Sequence, residues 1–402
     1  MNLISLLCFT VFYFEEKVLG YTISQEENLH DALMSGYRTD MRPGIDRSNG
    51  FNVTLSFYLF YITGFDLNTG KLMVNGALKI KWEDHRLKWD PASYGSMTYT
   101  SISENKMWLP NLILTNSYEE IENIASFHQT VQVNHTGHCT WFPIRTYEVI
   151  CDTDVTRYPF DTQYCALHFL IWGYNPEEYN VIFEDSKVRL ELYSENGIWE
   201  FKDSKTFLRK NAYNFNEIII GFYLKRRTTY YTSCLLLPIT AISMLMGFVF
   251  LIPSDCGERL GFSTTVLLSI VVYLTVIQGM LPEASEPSIS VLGYVLVTYI
   301  ISGAISVILV IISIRIQSTP DTKPVPHLTT WLIIFCRCKT KVNSKSEETL
   351  DSKSITKETA DVEDEMTVTW TEVGKTFDMA CFLLSGLQFT VSLIIYLSYV
   401  YS

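Results

Sequence analysis

The sequence predicts a two-part membrane protein: an exported β-sandwich of about ten strands behind a short helix, then a bundle of four membrane helices. Three observations carry this. An apolar leader opens the chain, period-two hydrophobicity fills residues 52–227, and four apolar runs follow from residue 230. The divisions are a signal peptide over 1–20, a sandwich over 21–229, three spans over 230–316, a cytoplasmic loop over 317–376, and a fourth span with a short tail over 377–402.

Residues 3–14 are apolar but too few to cross a bilayer, and Glu15, Glu16, Lys17 and the small Gly20 follow them. That is the pattern of a secretory leader. The sequons Asn52-Val-Thr54 and Asn134-His-Thr136 are glycosylation acceptors that fit an exported first half. A net charge of −12 gives no electrostatic reason for nucleic-acid binding and makes cations the natural companions. No phosphate-cradling glycine loop, nucleophile motif or strong metal signature is present, so neither an enzyme nor a cofactor is expected.

A helix over 26–35 precedes the strands. In residues 52–62, Val53, Leu55, Phe57, Leu59 and Tyr61 fall on one face of a strand. In 76–82, Leu78, Ile80 and Trp82 alternate with Lys79 and Lys81; in 187–193, Val188, Leu190 and Leu192 alternate with Arg189 and Glu191. Turns punctuate these runs at Asn68-Thr-Gly70, Asp90-Pro91 and Asn175-Pro176. The package reads as a sandwich.

The apolar runs cover 230–252, 260–281, 291–314 and 377–399, each near or above the roughly 20 residues a bilayer requires. Arg315, Lys323, Arg337, Lys339 and Lys341 follow the third run, which places that side in the cytoplasm and both termini outside. The loop between the third and fourth runs is polar and flexible in composition. Two of its pieces have order-forming patterns: 327–337, an apolar stripe around Trp331 suited to the membrane face, and 363–375, which extends the last span as a helix. Cys336 and Cys338 read as reduced thiols in preference to palmitoylation sites.

Of nine cysteines, Cys8 lies in the leader, Cys234 and Cys381 in spans, and Cys256, Cys336 and Cys338 on the cytoplasmic side. Outside remain Cys139, Cys151 and Cys165. The last two bracket Tyr158-Pro-Phe-Asp161, and a bridge closing those 15 residues would contribute about 3 kcal/mol. Cys139 is then the odd one, either free and buried or paired between chains, with the former preferred. His135 and His138 beside it would suit a transition metal. The reading of a polar loop next to a glycan is preferred, and no metal is expected.

Two cysteines with thirteen residues between them, an aromatic-Pro-Phe-Asp tip, and an exported β domain ahead of four spans resemble the Cys-loop pentameric ligand-gated channels. The resemblance extends to Trp82-x6-Trp89, Trp108-Leu-Pro-Asn111, Thr140-Trp141-x-Pro143, Arg226 before the first span and Pro238 within it. Gly257-Glu258-Arg259 and Val266-Leu-Leu-Ser269 look like nicotinic acetylcholine receptors; the Pro-Ala insertion usual in anion-selective relatives is absent. The resemblance implies a Cys151–Cys165 bridge, a homo- or hetero-pentamer with four further identical or homologous subunits, a small-molecule ligand at subunit interfaces, permeant cations and a plasma-membrane location of the postsynaptic kind.

Glu258, Gly261, Thr265, Leu268, Val272, Thr275 and Gly279 recur at steps of three and four, one stripe of a helix. Bulkier Leu260, Phe262, Leu267, Ile270, Tyr273 and Ile277 take the other faces. Spacing alone fits a helix-packing seam as well as a pore lining, and the resemblance selects the pore. Leu268 and Val272 would then form apolar constrictions and Glu258 a ring of carboxylates at the cytoplasmic mouth. Gly261 is smaller than the Thr or Ser usual in the family, and Gly279 replaces an outer acidic residue, with Glu283 and Glu286 just beyond.

The resemblance also implies an aromatic cage for an ammonium ligand. Trp172 matches its central tryptophan, against the alternative of a core aromatic. The other walls differ: Thr115 and Ala77 replace a tyrosine and a tryptophan, Phe207 and Phe215 replace two tyrosines, and Arg209 and Lys210 stand where agonist-binding subunits carry paired cysteines. Coupling to the pore would run through Tyr158, Pro159, Phe160 and Asp161, resting on the linker that begins at Pro282, and through Arg226, for which Asp66 is an available partner. Three readings follow: a gated cation channel, an accessory subunit that conducts only in heteromers, and an orphan homomer answering to a ligand other than acetylcholine.

Overall fold

The computed structural model describes residues 20–46, 50–121, 123–125, 129–254, 257–279, 290–320, 324–325 and 369–401. The leader, Cys8, Cys256, Pro282, Glu283, Glu286, the 327–337 stripe, Cys336 and Cys338 lie outside the described residues. The chain divides into two compact units, one of residues 1–153 and 162–226, the other of residues 154–161 and 227–402.

The first unit opens with helix α1, Ile23–Met34, somewhat earlier than its apolar pattern indicates. Thr22 and Gln25 form a reciprocal capping box, and Leu29 and Leu33 supply the buried face. Eleven strands follow among the described residues. Six are hydrogen-bonded in the order β3 (Tyr99–Ser103), β5 (Thr130–Asn134), β6 (Thr136–Trp141), β2 (Lys71–Lys88), β1 (Phe51–Asp66) and β9 (Tyr179–Phe183), and β7 (Ile144–Ile150) also pairs with β2. The second sheet runs β10 (Trp199–Lys210), β11 (Asn216–Arg226), β8 (Thr162–Ile171) and β4 (Leu112–Leu114). Aromatic rings fill the space between them: Phe57 of β1 lies 5.9 Å from Phe222 of β11, and Tyr147 of β7 lies 5.7 Å edge-on to Phe169 of β8. The Cys151–Cys165 disulfide ties the end of β7 to β8, so it links the two sheets. Cys139 is unpaired and fully buried, and burial raises its thiol pKa.

Two sequence expectations change. Tyr61 is 45% exposed while Ile62 is buried, because β1 gains a residue between the pairs Leu59↔Gly76 and Tyr61↔Asn75. Such a bulge turns the following side chains to the opposite face. Residues 187–193 form no strand: the segment touches β1 through a single Tyr58↔Arg189 bridge, and Leu190 and Leu192 are exposed. Arg189 is held by Asp185 and Tyr58, so local polar contacts outweigh the apolar alternation there.

Among its described residues the second unit holds four helices long and apolar enough to cross a membrane: Thr229–Leu251, Arg259–Gln278, Val291–Gln317 and a last one, Trp370–Tyr401. The fourth begins within the expected 363–375 extension. The first is irregular, passing through a π-turn over Thr232–Leu236 before Pro238. Residues 154–161 belong to this unit because Tyr158 is buried among Leu235, Ile239, Ile277 and Leu292, with Phe160 packed alongside. The Thr156 carbonyl also accepts the Val291 N–H at 3.0 Å, meeting one of the orphan donors that open the third helix.

At the opposite end of the bundle the side chain of Arg259, 1% exposed, forms a two-pronged contact with Asp378 of the fourth helix, Nη1–Oδ2 at 3.0 Å and Nη2–Oδ1 at 2.5 Å. Ser313 and Gln317 of the third helix donate to the same carboxylate at 2.5 and 2.7 Å. Asp378→Ala strands a buried guanidinium and is expected to cost about 3–5 kcal/mol, read as thermal stability of the purified protein. Replacing both partners by apolar residues of similar size should recover most of that loss.

Candidate functional site

Two regions hold the residues singled out in the sequence. In the second helix all seven stripe residues, from Glu258 to Gly279, are exposed in the single chain, Leu268 at 62% and Val272 at 54%. The buried set is Arg259, Ser263, Val266, Ile270 and Ile277. At about 100° per residue, Leu268 stands about 180° around the helix from Arg259; Gly261, Thr265, Val272, Thr275 and Gly279 fall within about 60° of that direction, and Glu258, at the N-cap, about 80° from it. The inward anchor therefore fixes the rotation of the helix. The hydroxyls of Thr265 and Thr275 donate to their own helix, at the Gly261 and Val272 carbonyls, and keep oxygen lone pairs directed outward. Glu258 takes the N-cap position without a side-chain capping bond.

The other region is the outer face of the four-stranded sheet. Register places Phe207 of β10 opposite Ile219 of β11, and Ile219 opposite His168 of β8. The His168 carbonyl in turn accepts both the Thr115 N–H, at 2.8 Å, and the Thr115 hydroxyl, at 3.1 Å. Phe207, Ile219, His168 and Thr115 thus form one cross-strand row about 14 Å long. Trp172 directly follows β8 and is 59% exposed, which removes the core-aromatic alternative; Asn111 holds its backbone through bonds of 2.8 and 3.4 Å. Phe215 closes the β10–β11 hairpin, where Asn211 bonds its backbone in both directions at 3.0 Å. Ala77 is fully buried between Tyr58 and Ile144 of adjacent strands, so its methyl group offers no surface of its own.

Sequence reasoning missed the charge arrangement in this row. Glu217 accepts Nε and Nη2 of Arg209 at 3.0 and 2.6 Å through one oxygen and faces Nδ1 of His168 at 3.3 Å through the other. Arg209, one of the two hairpin cations, is therefore paired, and its repulsion of an ammonium is correspondingly smaller. The alternation of β11 was the signal available: Glu217 shares the outer face with Ile219. His135 and His138 do not join Cys139, since His138 is exposed and Cys139, next to it on β6, points to the opposite, buried face.

Among the residues expected to couple the two parts, Arg226 is buried with its guanidinium 4.3 Å from the Trp199 ring centroid. Asp66 accepts from the Thr69 hydroxyl and the Asn68 N–H, which hold its carboxyl below the usual range. Tyr158 and Asp161 are buried, as is Pro159. Asn134 is exposed at the end of β5, where the N–H and hydroxyl of Thr136 donate to its Oδ1 at 3.0 and 3.3 Å, and Asn52 is exposed on β1.

Burial lowers the His168 pKa from 6.5, with Arg209 adding to the shift and Glu217 opposing it. Because the folded value lies below the unfolded one, acidification below about 6.5 protonates the unfolded chain first and lowers stability. His168→Gln should flatten the unfolding midpoint between pH 7.5 and 5 relative to the unaltered protein. Thermal melts at each pH check this.

Residues 26–228 match the model of the neurotransmitter-gated ion-channel ligand binding domain, and residues 235–376 match that of the neurotransmitter-gated ion-channel transmembrane region. The chain is 30% identical over 303 residues to the chicken neuronal acetylcholine receptor subunit beta-3, covering 74% of this chain and 66% of that one. It is 31% identical over 307 residues to the Caenorhabditis elegans acetylcholine receptor subunit beta-type lev-1, covering 76% and 59%. With the human neuronal subunit alpha-6 it shares 30% over 308 residues, covering 75% and 62%. The match spans about two thirds or less of these relatives' lengths.

Proposed function

The chain belongs to the neurotransmitter-gated ion-channel family, and from that premise we propose that it is a subunit of a nicotinic-receptor-like pentamer that passes cations when an extracellular small molecule binds between subunits. The family is one of ligand-gated ion channels, not of enzymes. The single observation that carries the pore assignment is the rotational setting of the second helix: Arg259 faces inward and the Glu258–Gly279 stripe faces away from the bundle. Five copies of that stripe make a channel. Leu268 and Val272 form apolar rings that close it by excluding water, and the Glu258 carboxylates at its mouth favour cations. Four companion subunits, identical or homologous, complete the ring. The protein resides in the plasma membrane, both termini outside, in a postsynaptic setting.

Ligand binding is assigned to the outer sheet face around Trp172, Phe207 and Phe215, with the neighbouring subunit supplying the other wall. β11 carries Glu217 in that face and leads through Arg227 and Thr228 into the first helix, so the chain itself connects site to membrane. The buried Tyr158 tip offers the second connection.

One observation favours the accessory reading. The Thr115 hydroxyl is committed to a carbonyl of its own chain, and no tyrosine stands in its place. A cage so altered binds an ammonium weakly, and the subunit then conducts beside homologous partners.

Glu258→Gln is expected to reduce single-channel cation conductance about two-fold or more, and Glu258→Lys to move the reversal potential toward that of chloride. Leu268→Ser, which wets the constriction, should yield current without ligand. Expressed alone, the chain should give no robust current to acetylcholine, whereas robust currents lost on Trp172→Ala would establish a homomeric acetylcholine receptor instead. Whole-cell and single-channel recordings read all three.

A further inference from the structure

Two departures from regular α-helix lie side by side in the first span. The π-turn Thr232–Leu236 is closed by the Leu237 N–H on the Thr232 carbonyl, and Pro238 follows at once. Proline has no N–H, so the carbonyl four residues back, that of Cys234, loses its helical donor. An unmet carbonyl is expensive in a lipid-facing helix, where no water replaces the lost bond. Here the replacement comes from another helix. The Tyr273 hydroxyl donates to the Cys234 carbonyl at 2.5 Å and lies 3.2 Å from the Leu235 carbonyl.

Tyr273 is next in sequence to Val272, and its ring packs against the buried cluster that holds Leu235, Ile239, Ile270 and Ile277. Phenylalanine would fill the same space without answering the carbonyl. The π-turn and the proline together interrupt the regular hydrogen-bond ladder of the first span, the kind of place where helices bend. The same span continues the strand that carries Glu217 and Ile219.

We propose that Tyr273 is a positioning residue for gating: its hydroxyl stands in for the amide that Pro238 lacks and ties the break in the first helix to the second helix beside Val272. Movement of β11 bends the first helix at its break, and the bond passes that bend to the constriction. The role rests on the reading of Leu268 and Val272 as the gate. The hydrogen bond does not.

The test combines Tyr273→Phe, Pro238→Ala and the double variant in the full chain, with a stability readout and a current readout. In purified protein in lipid nanodiscs, Tyr273→Phe should lower the unfolding midpoint by about 2–4 °C, and by almost nothing in the Pro238→Ala background, where a new amide meets the carbonyl. Equal losses in both backgrounds overturn the bond. Should Pro238→Ala fail to fold, Tyr273 is replaced by 4-aminophenylalanine, which keeps a donor and should restore the midpoint, and by 4-methoxyphenylalanine, which lacks one and should not. The opposite pattern overturns the assignment. For gating, the open probability of ligand-independent currents through the Leu268→Ser chain, expressed alone and with a homologous nicotinic subunit, should shift about three-fold or more on Tyr273→Phe and return with 4-aminophenylalanine. A stability effect with unchanged open probability reduces Tyr273 to a structural tether. A Leu268→Ser chain without current overturns the gate reading and the gating role with it, while the midpoints still decide the bond.

Discussion

The helical unit depends on where one guanidinium can go. Arg259 cannot face lipid, and inside the bundle Asp378 and Ser313 accept from its two terminal nitrogens while Gln317 donates to the same carboxylate. With Arg259 turned inward, helix geometry leaves no freedom for Leu268, Val272 or Thr275: they must point away. The adjacent Glu258 is left exposed, its charge separated from the neutralised pair. One buried ion pair therefore does two things at once, joining three helices and setting which face of the second helix points away from the bundle. Its net stabilisation is small, since desolvation offsets much of the attraction, but the alternatives it excludes are many.

The sandwich shows a similar economy on its outer face. A single carboxylate, Glu217, is shared between Arg209 and His168, so a cation on the hairpin, a titratable ring on β8 and the strand leading into the membrane meet at one residue. Of the two hairpin charges that the sequence presents as repulsive, that of Arg209 is internal to the row. The exposed Trp172 indole and the Phe207 ring stand on the same side of the sandwich as this row.

Much of this was legible in the sequence, and the limits have physical causes. Span lengths follow from bilayer thickness, the stripe from helical period, and the Val53–Leu59 face from strand period, all of them properties of neighbours along the chain. Tyr61 escaped because a bulge is a property of the paired strand, visible only in register. Leu190 and Leu192 misled because alternation records amphipathicity, whereas strand formation also requires a neighbour to pair with. Arg259 and Asp378 lie 119 positions apart, and nothing local marks them as partners. Tyr273 was classed with bulky packing residues, since the carbonyl it serves becomes an acceptor only through the proline of a different helix. Contacts between distant elements were the missing information throughout.

The assignment of residues 154–161 to the helical unit, despite their covalent closure by a disulfide of the sandwich, bears on how the protein can be divided. A secreted sandwich ending at Arg226 would be a complete fold by its strands, yet it would carry the Tyr158 and Phe160 rings bare into water. Solubility of such a fragment would hinge on that one loop, and polar residues at those two positions would be the least intrusive way to make the fragment stand alone.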